Sequence, residues 1–577
     1  MATVKKYNSA TSANIKKALE IPAASIKKIM GIGVGPGNTF TFTVYVSAGQ
    51  TFTLPLGSSG SYAQNFLVTW GDLSSSTITA YNDPDRVHTY VSTGTYTIVL
   101  SGTCEYFGFN NAGDKSKMRT LVSFTGDMGF KVLNFYGCDE LTSVVPFGTF
   151  TALTTAENVF RRCTSTGLTT IPSGMFDGCT AITSFLNAFE GCTRLTSIPS
   201  GLFRYNTAAT NFNSVFASCL RITAIPANLF DYNTSADTFS YAFYFYGNNA
   251  VSITIPTDLF RYNIANADFS GTFMGCTKIS TIPADLFRYN TLVTNFGSAF
   301  SGCSALTAIP TDIFKYNTGV TNFSSTFGYC NNAGLTSLPV DLFRYNTSAV
   351  NFSRVFYSCD KLTSLSNNLF DYNTLASDFS NAFFGCTGLT SLSTDIFRYN
   401  VAVTDFNTAF SDCTNLASLP IDIFKYNTAV TNFYKTFVNC TSLASLPTDL
   451  FRYNVSVTNF SWTFQNCSSL ATTGADLFRY NAAASNFSYT FYGCDNHQED
   501  STLFYAVGES GTRFFNKTVN FSYCFSRSSF TGTQGAAPDL WNCDFGSGGP
   551  TKTACWGGAG NSLTSLSNYA DIPADWK

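Results

Sequence analysis

Side chains that commonly carry out catalysis are scarce in this sequence. Its 577 residues contain only two histidines, His88 and His497, and no phosphate-binding loop, nucleophile elbow or cluster of metal ligands. The aspartates that recur along the chain each have a basic residue three positions on, so they do not form the carboxylate pairs that cleave glycosides. The sequence therefore predicts a protein that is not an enzyme and that uses neither a cofactor nor a metal.

The 18 cysteines are the second group that could do chemistry. No Cys-x-x-Cys spacing occurs, which weighs against metal binding. Most of the cysteines share one phase of a repeat, and such a continuous column cannot pair into disulfides without leaving members over. Free thiols buried at a corner of each repeat are therefore favoured over disulfides. The members of this column are Cys192, Cys219, Cys276, Cys303, Cys330, Cys359, Cys386, Cys413, Cys440, Cys467 and Cys494.

Acidic and basic residues alternate at a fixed spacing within the repeats. Eight repeats place Asp three residues before Arg or Lys, as in Asp449 and Arg452. Where the basic residue becomes Asp, at 231 and 371, its partner becomes Asn, at 228 and 368. Because stacked like charges repel, the joint change indicates two neighbouring columns whose charges cancel. This pattern favours a structural role, with a binding stripe as the alternative.

Exposed aromatic and basic residues occupy the variable positions of the repeat. They follow the recurring Asn-Phe pair or precede the cysteine, against a background of Ser, Thr and Asn, and they suit contact with sugar rings or with protein. The alternative is that they cover the edges of the stack or contact a neighbouring subunit. The candidate binding residues are Tyr241, Tyr244, Arg354, Tyr434, Lys435, Trp462, Tyr489 and Tyr492.

A repeat of 27 residues must position all of these side chains. Tyr recurs in an Arg/Lys/Asp-Tyr-Asn triplet from 205 to 480, and eight of the ten spacings are 27 residues. The two longer spacings contain Asn-Asn-Ala insertions at 248–250 and 331–333. A fixed period of this length predicts a solenoid whose bulky residues stack on themselves from coil to coil. Each coil is expected to hold short parallel strands and one helical turn with two Phe rings facing inward.

The repeat units resemble the BspA-type leucine-rich repeats and the related DUF285 surface-protein repeats. In those repeats "VTNM…MF.GC..LTSL" corresponds to the "VTNF…F.GC..LTSL" of residues 130–496. Ahead of them, "NFLVTWGD", "HTY" and "GTYTI" alternate apolar and polar residues and are similar to a PKD-like β-sandwich. Leu73 stands where that family usually has Gly, Trp70 is expected in the core, and His88 on a strand or turn. The resemblances imply a leucine-rich-repeat-like solenoid, residues 111–496, behind an all-β sandwich, residues 37–110.

The two ends of the chain differ from the repeats. Residues 1–36 hold the tandem "IKKALEI" and "IKKIMGI", which is similar to N-terminal segments of tailed-phage virion proteins. This segment is expected to attach the protein to other virion proteins; the alternative is a small helix pair that caps the sandwich. Residues 497–577, with Trp541 and Trp556, are expected to cap the last coil.

Net charge, apolar runs and the two ends of the chain bear on function and location. The net charge of −3 gives no basic field for nucleic acid, and no apolar run spans a membrane. No secretory signal is recognised. The favoured hypothesis is a tailed-phage fibre or decoration protein, made in the host cytoplasm and carried on the virion, that adheres to a host glycan or protein. The alternatives are a bacterial cell-surface adhesin and a purely structural capsid or tail component. A homo-oligomer is compatible with each.

Overall fold

A computed structural model describes residues 37–57, 61–164, 167–331, 334–505, 510–527, 535–557 and 566–577. Residues 1–36, which the sequence analysis predicts to be an attachment segment, lie outside the described residues. Within the described ranges the chain forms strands, turns and short 3₁₀ helices, and no α-helix. The strands are β1 (Thr39–Val46), β2 (Thr51–Thr53), β3 (Gln64–Thr69), β4 (Ser75–Ile78), β5 (Val87–Thr89), β6 (Gly94–Cys104), β7 (Tyr106–Gly108), β8 (Met118–Thr125), β9 (Val132–Asn134), β10 (Thr518–Asn520) and β11 (Gly549–Thr551). The 3₁₀ helices span Pro84–Arg86, Lys115–Lys117, Ser510–Thr512, Leu540–Asn542, Tyr569–Asp571 and Ala574–Trp576.

The N-terminal unit is all-β, as the alternating sequence predicts. Five strands form one antiparallel sheet in the order β4-β3-β6-β1-β8, and β2 pairs with β5 in a second, smaller layer. Strand β1 buries every second residue, including Phe40 and Phe42, because successive side chains of a strand point to opposite faces. Strand β8 follows residue 110, where the sequence placed the end of the sandwich, yet it hydrogen-bonds β1. The sheet therefore continues beyond the expected boundary.

The turn between β3 and β4 accommodates Leu73 at the position where PKD-like domains usually have Gly. Leu73 has a left-handed backbone, φ +76°, and its side chain is fully exposed. The neighbouring Asp72 accepts hydrogen bonds from the backbone and hydroxyl of Ser74, and its carboxylate lies 2.7 Å from Nε2 of His88. Trp70 is completely buried and stacks on the His88 imidazole at 4.8 Å. The predictions for Trp70 and His88 are therefore confirmed.

Sheet and solenoid share one core. Strand β7 pairs in parallel with β9, and this pair begins the stack of coils. Phe107 of β7 lies 5.1 Å from the Phe40 ring and 6.0 Å from the Phe135 ring. The first coil is thus built against the N-terminal all-β unit, which covers the apolar end that a solenoid would otherwise expose to water.

Successive coils are joined by a column of single-residue parallel bridges. The bridge joins Asn295 to Asn322 and recurs at the same phase from Thr155 to Asn520. The predicted solenoid is therefore confirmed, although its strands are mostly reduced to one residue per coil.

The segment predicted to be a helical turn is instead a run of β-turns. In the coil that contains Phe296, alternate N–H groups donate to the next coil, as Phe296 N does to Asn322 O (3.0 Å) and Phe300 N does to Thr326 O (2.9 Å). The N–H groups between them close turns, as Ala299 N does on Phe296 O (3.0 Å). A helix would direct every N–H along its own axis, so these inter-coil bonds exclude it. The prediction that both rings point inward is confirmed, since Phe296 and Phe300 are completely buried.

Three ladders of phenylalanine fill the solenoid. Phe287, Phe296 and Phe300 each stack on their counterparts in the next coil, with ring centroids 5.8 to 6.5 Å apart and planes within 15°. Rings from different ladders meet at steeper angles, as Phe287 and Phe296 do at 54° and 4.7 Å. Both arrangements are favourable for aromatic pairs, so the core gains stability beyond the burial of area alone.

The coils continue into the region expected to be only a cap. Asn486 bridges to Asn520 in β10, and β10 pairs in parallel with β11. Phe525 then stacks on Phe491 at 5.6 Å, and Trp556 stacks on Phe525 at 5.2 Å. Trp541 and Trp576 each pack on Trp556 at 5.7 Å and close the stack.

Candidate binding surface

The cysteines are not a reactive site. All 18 are free and buried, which confirms the prediction. The thiol of Cys303 donates to the carbonyl of Phe273 in the preceding coil at 3.3 Å, and Cys386 donates to Phe356 at 3.2 Å. Burial raises the pKa of the Cys359 thiol to about 12, so the nucleophilic thiolate does not form near neutral pH.

The charged columns lie side by side, as the sequence predicts. Each Asp carboxylate lies 3.2 to 3.9 Å from the Arg or Lys three residues later. The structure adds a feature that the sequence analysis missed. The guanidinium of Arg288 lies between two exposed rings, 5.7 Å from Tyr289 and 5.4 Å from Tyr316 of the next coil. The recurring Tyr therefore ties adjacent coils together through cation–π contacts.

A buried asparagine ladder accounts for the Asn of the same triplet. Asn317 is completely buried, and its side-chain amide donates to Phe287 O (3.1 Å) and Asn290 O (2.8 Å) in the preceding coil. The same pair of bonds recurs in each coil from Asn206 to Asn481. At the end of the ladder Arg513 takes over, and its Nη2 donates to the two carbonyls that a further Asn would reach. The invariance of Asn in the triplet was the signal that could have revealed this ladder.

The candidate binding residues lie on one surface, which we call the aromatic face. It is formed by the turns that follow the recurring pair of a polar residue and Phe, which is Asn-Phe or Asp-Phe in most coils and Thr238-Phe239 before Tyr241. The second residue after that pair is left-handed in coil after coil, with φ between 54° and 62° from Ser214 to Tyr523. Gly accepts this backbone readily and Asn accepts it at a small cost, whereas large side chains are strained in it. The large residues at this phase are Tyr241, Arg354, Lys435, Trp462, Tyr489 and Tyr523.

Four of these residues occupy successive coils and form one continuous stack of three rings that begins at an ammonium group, which we call the ring stack, namely Lys435, Trp462, Tyr489 and Tyr523. The rings of Trp462 and Tyr489 are 4.1 Å apart, and those of Tyr489 and Tyr523 are 4.8 Å apart, nearly parallel in both pairs. The ammonium of Lys435 lies 5.1 Å from the Trp462 ring and 5.1 Å from the Tyr434 ring. Partial burial, together with Tyr523 and Tyr492, raises the pKa of Tyr489. The phenol is therefore neutral and remains a hydrogen-bond donor.

The other candidates fall into two smaller groups on the aromatic face. Tyr241 packs beside Tyr244 at 5.8 Å, and its ring covers Gly271 of the next coil, where a Cβ would lie only 2.4 Å from it. Arg354 is exposed in a coil whose Tyr357 stacks on Phe384 at 4.6 Å and packs against Tyr329 at 4.9 Å. Tyr492 packs on the Tyr489 ring at 5.4 Å. The structure thus brings Tyr434 and Tyr492 to the ring stack and leaves Tyr241, Tyr244 and Arg354 in separate groups.

A buried charged cluster near the C-terminal end lies away from this face. Arg527 forms an ion pair with Glu499 and donates to the carbonyl of His497 at 2.8 Å. Burial and the nearby guanidinium of Arg527 lower the pKa of His497 to about 3. Because these three side chains are buried, we assign them to the packing of the last coils.

The described part of the chain contains no group of three His, Cys, Asp or Glu side chains placed to hold a metal ion. No helix in that part has the length and apolar character needed to cross a membrane.

No known protein family and no curated protein matches the chain. Solved structures that resemble it are leucine-rich repeat proteins. They include Toll in a complex with Spatzle from Drosophila, with 14% identity over 70% of this chain and a TM-score of 0.30; the chain spans about half of that protein, 50%. The functional domain of InlJ from Listeria monocytogenes, which includes a cysteine ladder, has 13% identity over 78% of this chain and 81% of its own, with a TM-score of 0.27. A leucine rich cell surface protein from Faecalibacterium prausnitzii has 15% identity over 55% of this chain and 81% of its own, with a TM-score of 0.21. The solenoid is defined by the bridges between its own coils.

Proposed function

We propose that this chain is a non-enzymatic recognition protein that binds a surface partner through its aromatic face, chiefly at the ring stack. The observation that carries the proposal is the presence of large side chains at a left-handed position in four successive coils. Other coils place Asn187, Ser298 or Asn381 at the same phase, so the fold does not require bulk there. Strained positions are typical of functional sites. Trp462, Tyr489 and Tyr523 are half-buried, and Trp and Tyr are typical of interface hot spots.

Two settings suit such a protein. A tailed-phage fibre or decoration protein would agree with the resemblance of residues 1–36 to virion segments, and the PKD-like sandwich would then separate the solenoid from the particle. A bacterial cell-surface adhesin would agree with the BspA-like repeats. Mass spectrometry of purified virus particles and of a washed cell-surface fraction from the same source distinguishes the two. A chain found in particles without any binding to cells would indicate a structural component of the virion.

Matched substitutions at one phase of the repeat test the binding role. Trp462→Asn with Tyr489→Asn removes two rings and installs a residue that other coils already carry. Ser298→Asn with Ser325→Asn makes the equivalent change in coils outside the ring stack. With labelled protein and intact cells from the source, we expect the control to bind like the wild type and the ring variant to bind at least tenfold more weakly. Equal binding by a folded ring variant would exclude the ring stack as the contact.

A further inference from the structure

The arrangement of the ring stack also bears on which class of partner it contacts. We infer that the partner is an extended polypeptide segment that contacts the edges of the rings, and not a carbohydrate that stacks on their faces. This inference rests on the proposed binding function and specifies its ligand.

The faces of the central rings are already occupied. Trp462 lies between the ammonium of Lys435 at 5.1 Å and the Tyr489 ring at 4.1 Å. Tyr489 lies between Trp462 and the Tyr523 ring, which is 4.8 Å away. A sugar is held on an aromatic side chain by placing its C–H groups over a free ring face. The two central rings offer no such face.

The edges of the rings remain available. Within the described ranges no hydrogen bond to the protein uses the indole N–H of Trp462 or the hydroxyls of Tyr489 and Tyr523. Ring edges carry partial positive charge, and Trp and Tyr combine an apolar body with a polar group. Carbonyl oxygens and apolar side chains, which alternate along an extended peptide, suit this surface.

A row of side-chain amides runs beside the rings. Asn439 donates to Asp412 at 2.6 Å, and Asn466 donates to Asn439 at 2.9 Å. Each asparagine lies four residues after its ring-stack residue, Lys435 or Trp462, so a row of amides and a row of ring edges run in parallel along the rod axis. Three coil steps of about 4.8 Å span about 14 Å, the length of roughly four residues of extended chain.

The Tyr523 ring differs from the other two rings, and its role in binding distinguishes a carbohydrate partner from a peptide. Tyr523 N donates to Thr553 O of the next coil, which places Ala554 at the phase of Tyr523. A methyl group covers little of a ring, so one face of Tyr523 meets no ring or cation among the described residues, whereas Trp462 and Tyr489 have a ring or the Lys435 ammonium on both faces. A carbohydrate would depend on Tyr523, and an edge-bound peptide would depend on Trp462.

Binding to intact source cells tests the inference directly. Trp462→Phe keeps a ring in the stack but removes the indole N–H and shortens the edge, so we expect at least tenfold weaker binding. Ser298→Asn is the control and should bind like the wild type. Treatment of the cells with proteinase K should abolish binding, and periodate oxidation of their glycans should leave it intact.

Different failures have different meanings. Binding that resists proteinase K, is lost after periodate treatment and depends on Tyr523 but not on Trp462 would overturn the polypeptide inference while keeping the binding function. Absence of binding by the wild type to untreated cells would overturn both.

Discussion

Replacing one rung of the asparagine ladder should destabilise the solenoid by a predictable amount. In Asn317→Ala the carbonyls of Phe287 and Asn290 each lose one hydrogen bond, of 3.1 Å and 2.8 Å respectively. Both keep an acceptor bond from their own coil, since Asn290 N donates to Phe287 O and Val293 N donates to Asn290 O. Each carbonyl is therefore partly satisfied, and about 1 kcal/mol per lost bond applies, or about 2 kcal/mol in total. The small cavity left by the amide adds to that cost.

Asn317→Asp should cost more than Asn317→Ala although it preserves shape. The amide oxygen of Asn317 accepts no hydrogen bond from the described chain, so the contribution of this residue comes from its N–H groups. A carboxylate has no such donors and would place a buried negative charge against two carbonyl oxygens. Thr318→Ala, at the exposed neighbouring position, serves as the control and should change stability by less than about 0.5 kcal/mol.

Urea unfolding measures the overall effect of these variants, and native-state hydrogen exchange locates it. Because each coil contacts only its neighbours, we expect loss of protection to centre on residues 285–325. An Asn317→Ala variant as stable as the Thr318→Ala control would refute the assignment of the ladder as a stabilising element. An Asn317→Asp variant milder than Asn317→Ala would refute the argument that the donors carry the effect.

The remaining predictions concern the thiols, the charged columns, pH and the N-terminus. Thiol titration should find nearly all 18 cysteines reactive in the unfolded, unreduced protein and very few in the native protein; extensive pairing would contradict the free column. Asp449→Asn should destabilise more than the same change combined with Arg452→Asp, which recreates a natural coil, whereas additive effects in urea unfolding would mean independent columns. The pKa of His497 in the folded protein is about 3, below its ordinary 6.5, so between these pH values the unfolded chain binds one more proton and the stability of the fold falls as the pH drops. His497→Phe should make this fall shallower, and a urea midpoint that depends on pH as in the wild type would exclude a contribution of His497. Deleting residues 1–36 should leave a folded protein that no longer enters virus particles, and normal incorporation would reject the attachment role.

The sequence determined which residues share a column. A repeat copies the same backbone every 27 residues, so any position recurring at that interval must stack on itself. That is why the inward Phe rings, the buried free thiols and the pairing of Asp449 with Arg452 could be predicted before the structure. The joint change at residues 228 and 231 was sufficient to place two columns side by side, because only neighbours need to compensate each other's charge.

Only the tertiary structure decided the backbone conformation of each coil between those positions. The helical turn expected at Phe296 is a run of turns because its alternate N–H groups bond to the next coil, and such bonds exist only after the coils have stacked. The same bonds impose the left-handed backbone on Trp462 and Tyr489, which local preference would not assign to large residues. The rings then stack on one another because adjacent coils bring them within 4.1 Å. A repeat thus fixes which residues become neighbours. The conformation of each coil depends on hydrogen bonds between coils, which no single repeat contains, and that conformation decides which edges of the ring stack are exposed.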